Sequence, residues 1–113
     1  MSRISPAEAF AKMKDEGFTY VDVRTPEEFE AGHPEGARNV PLGDTFVIDM
    51  AKAFARDAKI IVGCKACGRS ARAAHELAAA GFTNVLDQRA GWDGTRGTFG
   101  EIVEPGWSRC GLP

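Results

Sequence analysis

The chain has 113 residues, of which 43% are hydrophobic and 27% charged, and its formal net charge is -2. That length fits one compact domain burying roughly two-thirds of its unfolded surface, so a core can form without disulfide or metal staples. The near-neutral balance gives no electrostatic footprint for nucleic acid or an anionic membrane, and neither partner is expected.

Ser5-Pro6-Ala7-Glu8 is a capping box with proline at the first helical position. Ala9, Phe10 and Met13 then recur at helical spacing, and Gly17 ends the helix. Residues 19–23 alternate and are rich in β-branched and aromatic side chains, which predicts a strand. Thr25-Pro26-Glu27-Glu28 is a second capping box, opening a short helix that ends near Gly32. A short strand is expected over 38–42 and a helix over 47–56. Residues 59–62 form an apolar run that suits a buried parallel strand. A tight loop covers 63–68. Residues 70–80 form an alanine-rich helix stopped by Gly81, and another strand is expected over 83–86. From Asp87 onward Gly, Trp and Pro are frequent and periodicity is lost, which reads as a loop-rich closing segment with one short helix.

Strands alternating with helices predict an α/β fold, a parallel sheet with helices on both faces, in a single domain over residues 1–113. Ligand crevices in such sheets lie beyond the carboxyl ends of the strands. Cys64 follows the 59–62 strand and therefore falls at that end.

The cysteines are Cys64, Cys67 and Cys110, and an odd count argues against a disulfide framework. The first residues lack the apolar run of a signal peptide, and no apolar stretch reaches bilayer length. A cytoplasmic protein with reduced thiols is expected.

The segment Cys64-Lys65-Ala66-Cys67-Gly68-Arg69-Ser70 joins a strand to a helix start. Such a turn presents backbone N–H groups and the positive end of a helix dipole, which together favour an anion. Lys65 and Arg69 add positive charge. The loop can hold a sulfur nucleophile and receive an anionic substrate.

This stretch resembles the rhodanese active-site pattern Cys-x-x-Gly-x-Arg-Ser followed by an alanine-rich helix. Val21 to Phe29 is similar to that family's Asp-Val-Arg strand end and Glu-Phe helix. Gly32 to Pro41 resembles its Gly-His-x-x-Gly-Ala-x-Asn segment. Gly106-Trp107 with the final Gly111-Leu112-Pro113 is similar to its usual close. Two positions depart from the pattern: Cys67 stands where glycine is expected, with glycine one place later at Gly68, and Pro34-Glu35 replaces the commoner Ile-Pro.

The resemblance implies a rhodanese-like fold and a sulfurtransferase. Cys64 is the expected sulfur carrier, passing a sulfane sulfur from a donor such as thiosulfate to a thiol or cyanide through a persulfide. Lys65, Ala66, Cys67, Gly68, Arg69 and Ser70 are the expected substrate-binding loop. Within it Arg69 is expected chiefly to pin the loop and Lys65 to face substrate. Asp22 and Arg24 are expected to support the loop through hydrogen bonds and an ion pair. His33 and His75 are assigned no catalytic role, and Trp92 and Trp107 read as packing. The expected partners are a small sulfur donor and a thiol acceptor, with no cofactor and no metal.

The main alternative is a thiol–disulfide oxidoreductase using the Cys64/Cys67 C-x-x-C pair, against which Arg69-Ser70 directly follow the motif. A phosphatase or arsenate reductase on the same fold would place five residues between cysteine and arginine, where this chain has four. A zinc site would need a second spaced pair of ligands. A non-catalytic binding module would generally lack the cysteine.

Overall fold

The computed structural model describes residues 2–66 and 68–113. Its elements are β1 (Ser2–Ile4), α1 (Pro6–Asp15), β2 (Thr19–Asp22), α2 (Pro26–Ala31), β3 (Arg38–Asn39), α3 (Phe46–Ala53), β4 (Ile60–Gly63), α4 (Arg69–Ala79), β5 (Val85–Gln88), β6 (Gly94–Arg96), β7 (Ile102–Pro105) and a 3-10 turn at Trp107–Arg109.

The first five strands form one parallel sheet in the order β1-β5-β4-β2-β3. The α/β parallel architecture read from the sequence is the one observed. Both capping boxes are made: Glu8 N–H donates to Ser5 Oγ at 3.1 Å and Glu28 N–H to Thr25 Oγ1 at 3.3 Å, and each glutamate accepts from its own cap backbone. These reciprocal bonds satisfy donors the helices would otherwise leave open, and they start α1 and α2 where the sequence places them.

Period-two alternation splits the core in two. Val21, Val23, Ile60, Val62 and Val85 face Phe46 and Met50 of α3 and Ala73, Ala74 and Leu77 of α4. Tyr20, Ile61 and Leu86 face the other way, onto Ala9, Phe10 and Met13 of α1 and onto Trp107. The central valines and isoleucines of β2 and β4 are fully buried, each worth about 1.5–3 kcal/mol over exposure. Among the described residues no helix is long and apolar enough to cross a membrane.

Several expectations change: the strand expected over 38–42 is only Arg38–Asn39, and the helix expected over 47–56 runs Phe46–Ala53. β1 is unanticipated: it occupies three residues just before the first cap, too few to show a period. The strand expected over 83–86 lies at Val85–Gln88, because Thr83 and Asn84 spend their side chains on the Arg56 and Asp57 carbonyls. The closing segment, read as loop-rich with one short helix, holds that short helix as the 3-10 turn at Trp107–Arg109 but also contains the antiparallel pair β6–β7, which carries a register shift between Thr95 and Arg96. That irregularity and the surrounding glycines hide its alternation.

After β2 the chain steps outward to β3, then returns across the sheet to β4. The strand order therefore reverses between β2 and β4, the position at which such sheets open a crevice at their carboxyl ends. Asp22 and Gly63 are register partners at that edge, and Val23 N–H donates to the Gly63 carbonyl at 2.9 Å.

Candidate active site

Cys64 is the first residue after β4, and its thiol is turned into the core under α4, leaving the residue 2% exposed. Its Sγ lies 3.4 Å from Oγ of Ser70, itself fully buried in the first turn of α4. Gly68, at the N-cap of α4 with φ +98°, has no side chain with which to cap the helix, and no acidic side chain occupies the first turn. The open N–H groups and dipole of an 11-residue helix thus start beside the sulfur, an arrangement suited to negative charge.

Asp22 and Arg24 are buried behind the loop, 2% and 3% exposed. Arg24 Nη2 donates to Asp22 Oδ2 at 2.6 Å and to the Gly32 carbonyl at 2.7 Å, while Arg24 Nε reaches both carboxylate oxygens at 3.0 Å. Asn39 Nδ2 donates to the carbonyls of Asp22 and Arg24. Both Asp22 oxygens are thus paired with the guanidinium, as a buried carboxylate must be to offset its desolvation. The Arg24 guanidinium also lies 5.3 Å from the centre of the Trp92 ring.

Arg69 is held by a carboxylate of α2. Its Nη1 and Nη2 donate to Glu28 Oε1 and Oε2 at 2.8 and 3.1 Å, a two-pronged pair joining the starts of α2 and α4. Glu28 already serves its own capping box, so one carboxylate bridges both helix starts. The Arg69 hydrogen bonds hold the Glu28 carboxyl down at about 2.

Lys65 is exposed at the rim, its Nζ 3.8 Å from Asp93 Oδ2. Ala66 is half-buried beside it. Cys67, expected in the binding loop and as partner of Cys64 in the C-x-x-C alternative, lies outside the described residues. His33 stacks on Phe29 at 3.6 Å with its Nδ1 2.6 Å from the Phe29 carbonyl, and His75 is exposed on α4. The structure thus gathers Cys64 and Ser70 at the sulfur, Asp22 and Arg24 behind it, and Lys65 and Arg69 at the rim.

The sequence reading missed the support on the far side. Trp92 N–H donates to the Cys64 carbonyl at 2.8 Å and Asp93 N–H to the Lys65 carbonyl at 2.7 Å. Gly91 is needed there: at φ +68° it passes so near the loop that a Cβ would sit 2.6 Å from the Lys65 carbonyl oxygen. Beneath it lie Gln88, fully buried, and Tyr20, whose hydroxyl occupies the space beside Gly63. Burial pushes the Tyr20 phenol well above its ordinary range, so it remains protonated. The available signal was polar Asp87-Gln88 at the end of an apolar strand, where a glutamine must find buried partners.

The sequence profile of the family Rhodanese-like domain matches residues 5–97. The chain is 37% identical over 107 residues to Thiosulfate sulfurtransferase 16, chloroplastic, of Arabidopsis thaliana, covering 86% of this chain and 79% of that one. It is 36% identical over 97 residues to Thiosulfate sulfurtransferase GlpE of Pseudomonas putida, covering 86% of each. A crystal structure of a rhodanese-like domain protein from Staphylococcus aureus superposes with TM-score 0.72 at 26% identity, covering 100% of this chain and 97% of that one. The chain belongs to the rhodanese-like domain family.

Proposed function

We propose that this protein is a sulfurtransferase that moves a sulfane sulfur from a donor such as thiosulfate to a thiol, or to cyanide, through a persulfide on Cys64. The observation that carries this reading is the enclosed Cys64 sulfur beside Ser70 at the uncapped start of α4. The Cys64 thiolate attacks the outer sulfur of thiosulfate, the donor's S–S bond breaks, and sulfite leaves with the bonding pair. The new Cys64 persulfide anion is stabilised by the helix start and the loop amides. An acceptor thiolate then attacks the outer sulfur, an acceptor persulfide forms, and the Cys64 thiolate returns. The two half-reactions share one enzyme form, so ping-pong kinetics are expected. Lys65 serves as a rim cation that recruits the anionic donor. Asp22, Arg24 and the Arg69–Glu28 pair hold the loop.

Intact mass spectrometry tests the carrier directly. Incubation with thiosulfate should add one sulfur atom to the wild type and none to Cys64→Ala, and a small thiol should then remove it. No gain in the wild type would overturn the reading.

A further inference from the structure

Gln88 ends β5, fully buried, with all four hydrogen-bonding positions of its side-chain amide in use. Its Oε1 accepts from Ala90 N–H at 2.7 Å and Gly91 N–H at 2.9 Å. Its Nε2 donates to the Tyr20 hydroxyl at 3.1 Å and the Gly91 carbonyl at 3.0 Å. Two backbone donors on one end and a carbonyl on the other leave only one way round for the amide. This bond set folds residues 88–91 into a turn, and the Trp92 and Asp93 amides that follow bond the carbonyls of Cys64 and Lys65.

We infer that Gln88 is a positioning residue for the sulfur-carrying loop: it fixes the turn at 90–93, and that turn fixes the peptide planes after Cys64 and Lys65. In a trans peptide the C=O and N–H point in opposite directions. With the Cys64 and Lys65 carbonyls drawn to the turn, the N–H groups of Lys65 and Ala66 face away from it, as an amide cradle for an anion requires. Tyr20 completes the chain from below. It accepts from Gln88 while its hydroxyl packs against Gly63, the residue that delivers Cys64. The role rests on the sulfurtransferase reading above, since it concerns how the loop receives an anionic sulfur donor.

The test uses Gln88→Leu and Gln88→Met, which keep bulk and remove the amide, and Tyr20→Phe, which removes one of the four bonds. Three quantities are measured on the full chain: kcat/KM for thiosulfate, the rate at which neutral iodoacetamide alkylates Cys64 by peptide mass, and amide hydrogen exchange at Trp92 and Asp93. The Gln88 variants should lose about tenfold or more in kcat/KM for thiosulfate, with alkylation of Cys64 changed less than about threefold. Exchange at Trp92 and Asp93 should quicken while Ile61 and Val62 in β4 stay protected. A merely structural role would lower both reaction rates together or expose β4 as well, and either result would overturn the inference. So would a thiosulfate rate within about twofold of wild type in a folded Gln88 variant. If neither Gln88 variant folds, Tyr20→Phe decides: a loss of about threefold in the thiosulfate rate supports the role, and an unchanged rate overturns it. Wild-type sulfur uptake, run alongside, separates the two proposals: its absence removes the sulfurtransferase reading and this role with it, whereas uptake equal in wild type and variants removes this role alone.

Discussion

The inner half of the site and its rim are built from the same kinds of residue under different solvation. Inside, the Asp22–Arg24 pair has side chains only 3% and 4% exposed, and both Asp22 oxygens accept from Arg24. At the rim, Glu28 and Arg69 are 27% and 39% exposed, and Lys65 is 58% exposed against Asp93. Water screens the rim pairs and leaves the inner one at full strength, so equal chemistry has unequal consequences. Inner substitutions should cost the fold or the reaction outright. Rim substitutions should change conditions and affinities.

The sharpest contrast lies between Cys64 and everything else. Cys64→Ala should abolish sulfur transfer from thiosulfate to cyanide while circular dichroism and the melting temperature stay near those of the wild type. Among the described residues Cys64 is the only buried cysteine, and alanine leaves only a small gap. Near-normal turnover would remove Cys64 as the carrier. Next comes Arg24→Ala, which strands the Asp22 carboxylate in the core and frees the Gly32 carbonyl. Loss of one partner of a buried pair costs about 3–5 kcal/mol. Urea unfolding should show that loss, and a change below about 1 kcal/mol would place the pair in the rim's class.

The inner half was partly legible in the sequence. Cys64, Ser70, Asp22 and Arg24 lie next to strand ends that the apolar runs at 19–23 and 59–62 announce. Asp22 and Arg24 stood out through the resemblance of residues 21–29 to a family segment, and the Cys64–Ser70 contact was not anticipated. Gln88 and Gly91 were not legible, because their contacts with residues 20, 64 and 65 are long-range products of sheet order rather than of any local pattern. β1 and the β6–β7 pair escaped for a related reason: three-residue strands and a register shift leave too few positions to display a period. Arg69 was read as pinning the loop, but that a carboxylate takes it, and which one, depended on α2 and α4 starting close together.

Glu28 allows the rim to be titrated. Its folded value is depressed to about 2 by Arg69, below the ordinary 4.5, so its contribution is fully present above about pH 4.5 and disappears as pH falls through about 2. Glu28→Gln keeps one oxygen for the capping box but removes the charge together with one of the two oxygens that accept from Arg69. Because the pair is partly open to water, the substitution should cost about 1 kcal/mol near neutral pH. The difference between wild type and variant should shrink toward zero by about pH 2. A difference that stays constant across that range would detach the ion pair from stability.

The smallest effect is expected at Lys65, the most exposed charge near the sulfur. Its contact with Asp93, at 3.8 Å, is too long and too wet to fix either side chain. Lys65 can still raise the local concentration of a dianionic donor, because attraction at the mouth acts before any bond forms. In the proposed sulfurtransferase mechanism it acts before the transfer step rather than in it. Lys65→Ala should therefore raise KM for thiosulfate by about two- to fivefold with little change in kcat. Added salt should close the gap, since the Debye length falls from about 10 Å at 0.1 M to about 3 Å at 1 M. Lys65→Arg should preserve the wild-type KM, because charge rather than shape does the recruiting. An unchanged KM for Lys65→Ala at low ionic strength would show that the positive start of α4 draws the donor in unaided. A fall in kcat that salt leaves untouched would move Lys65 from the rim into the inner half of the site.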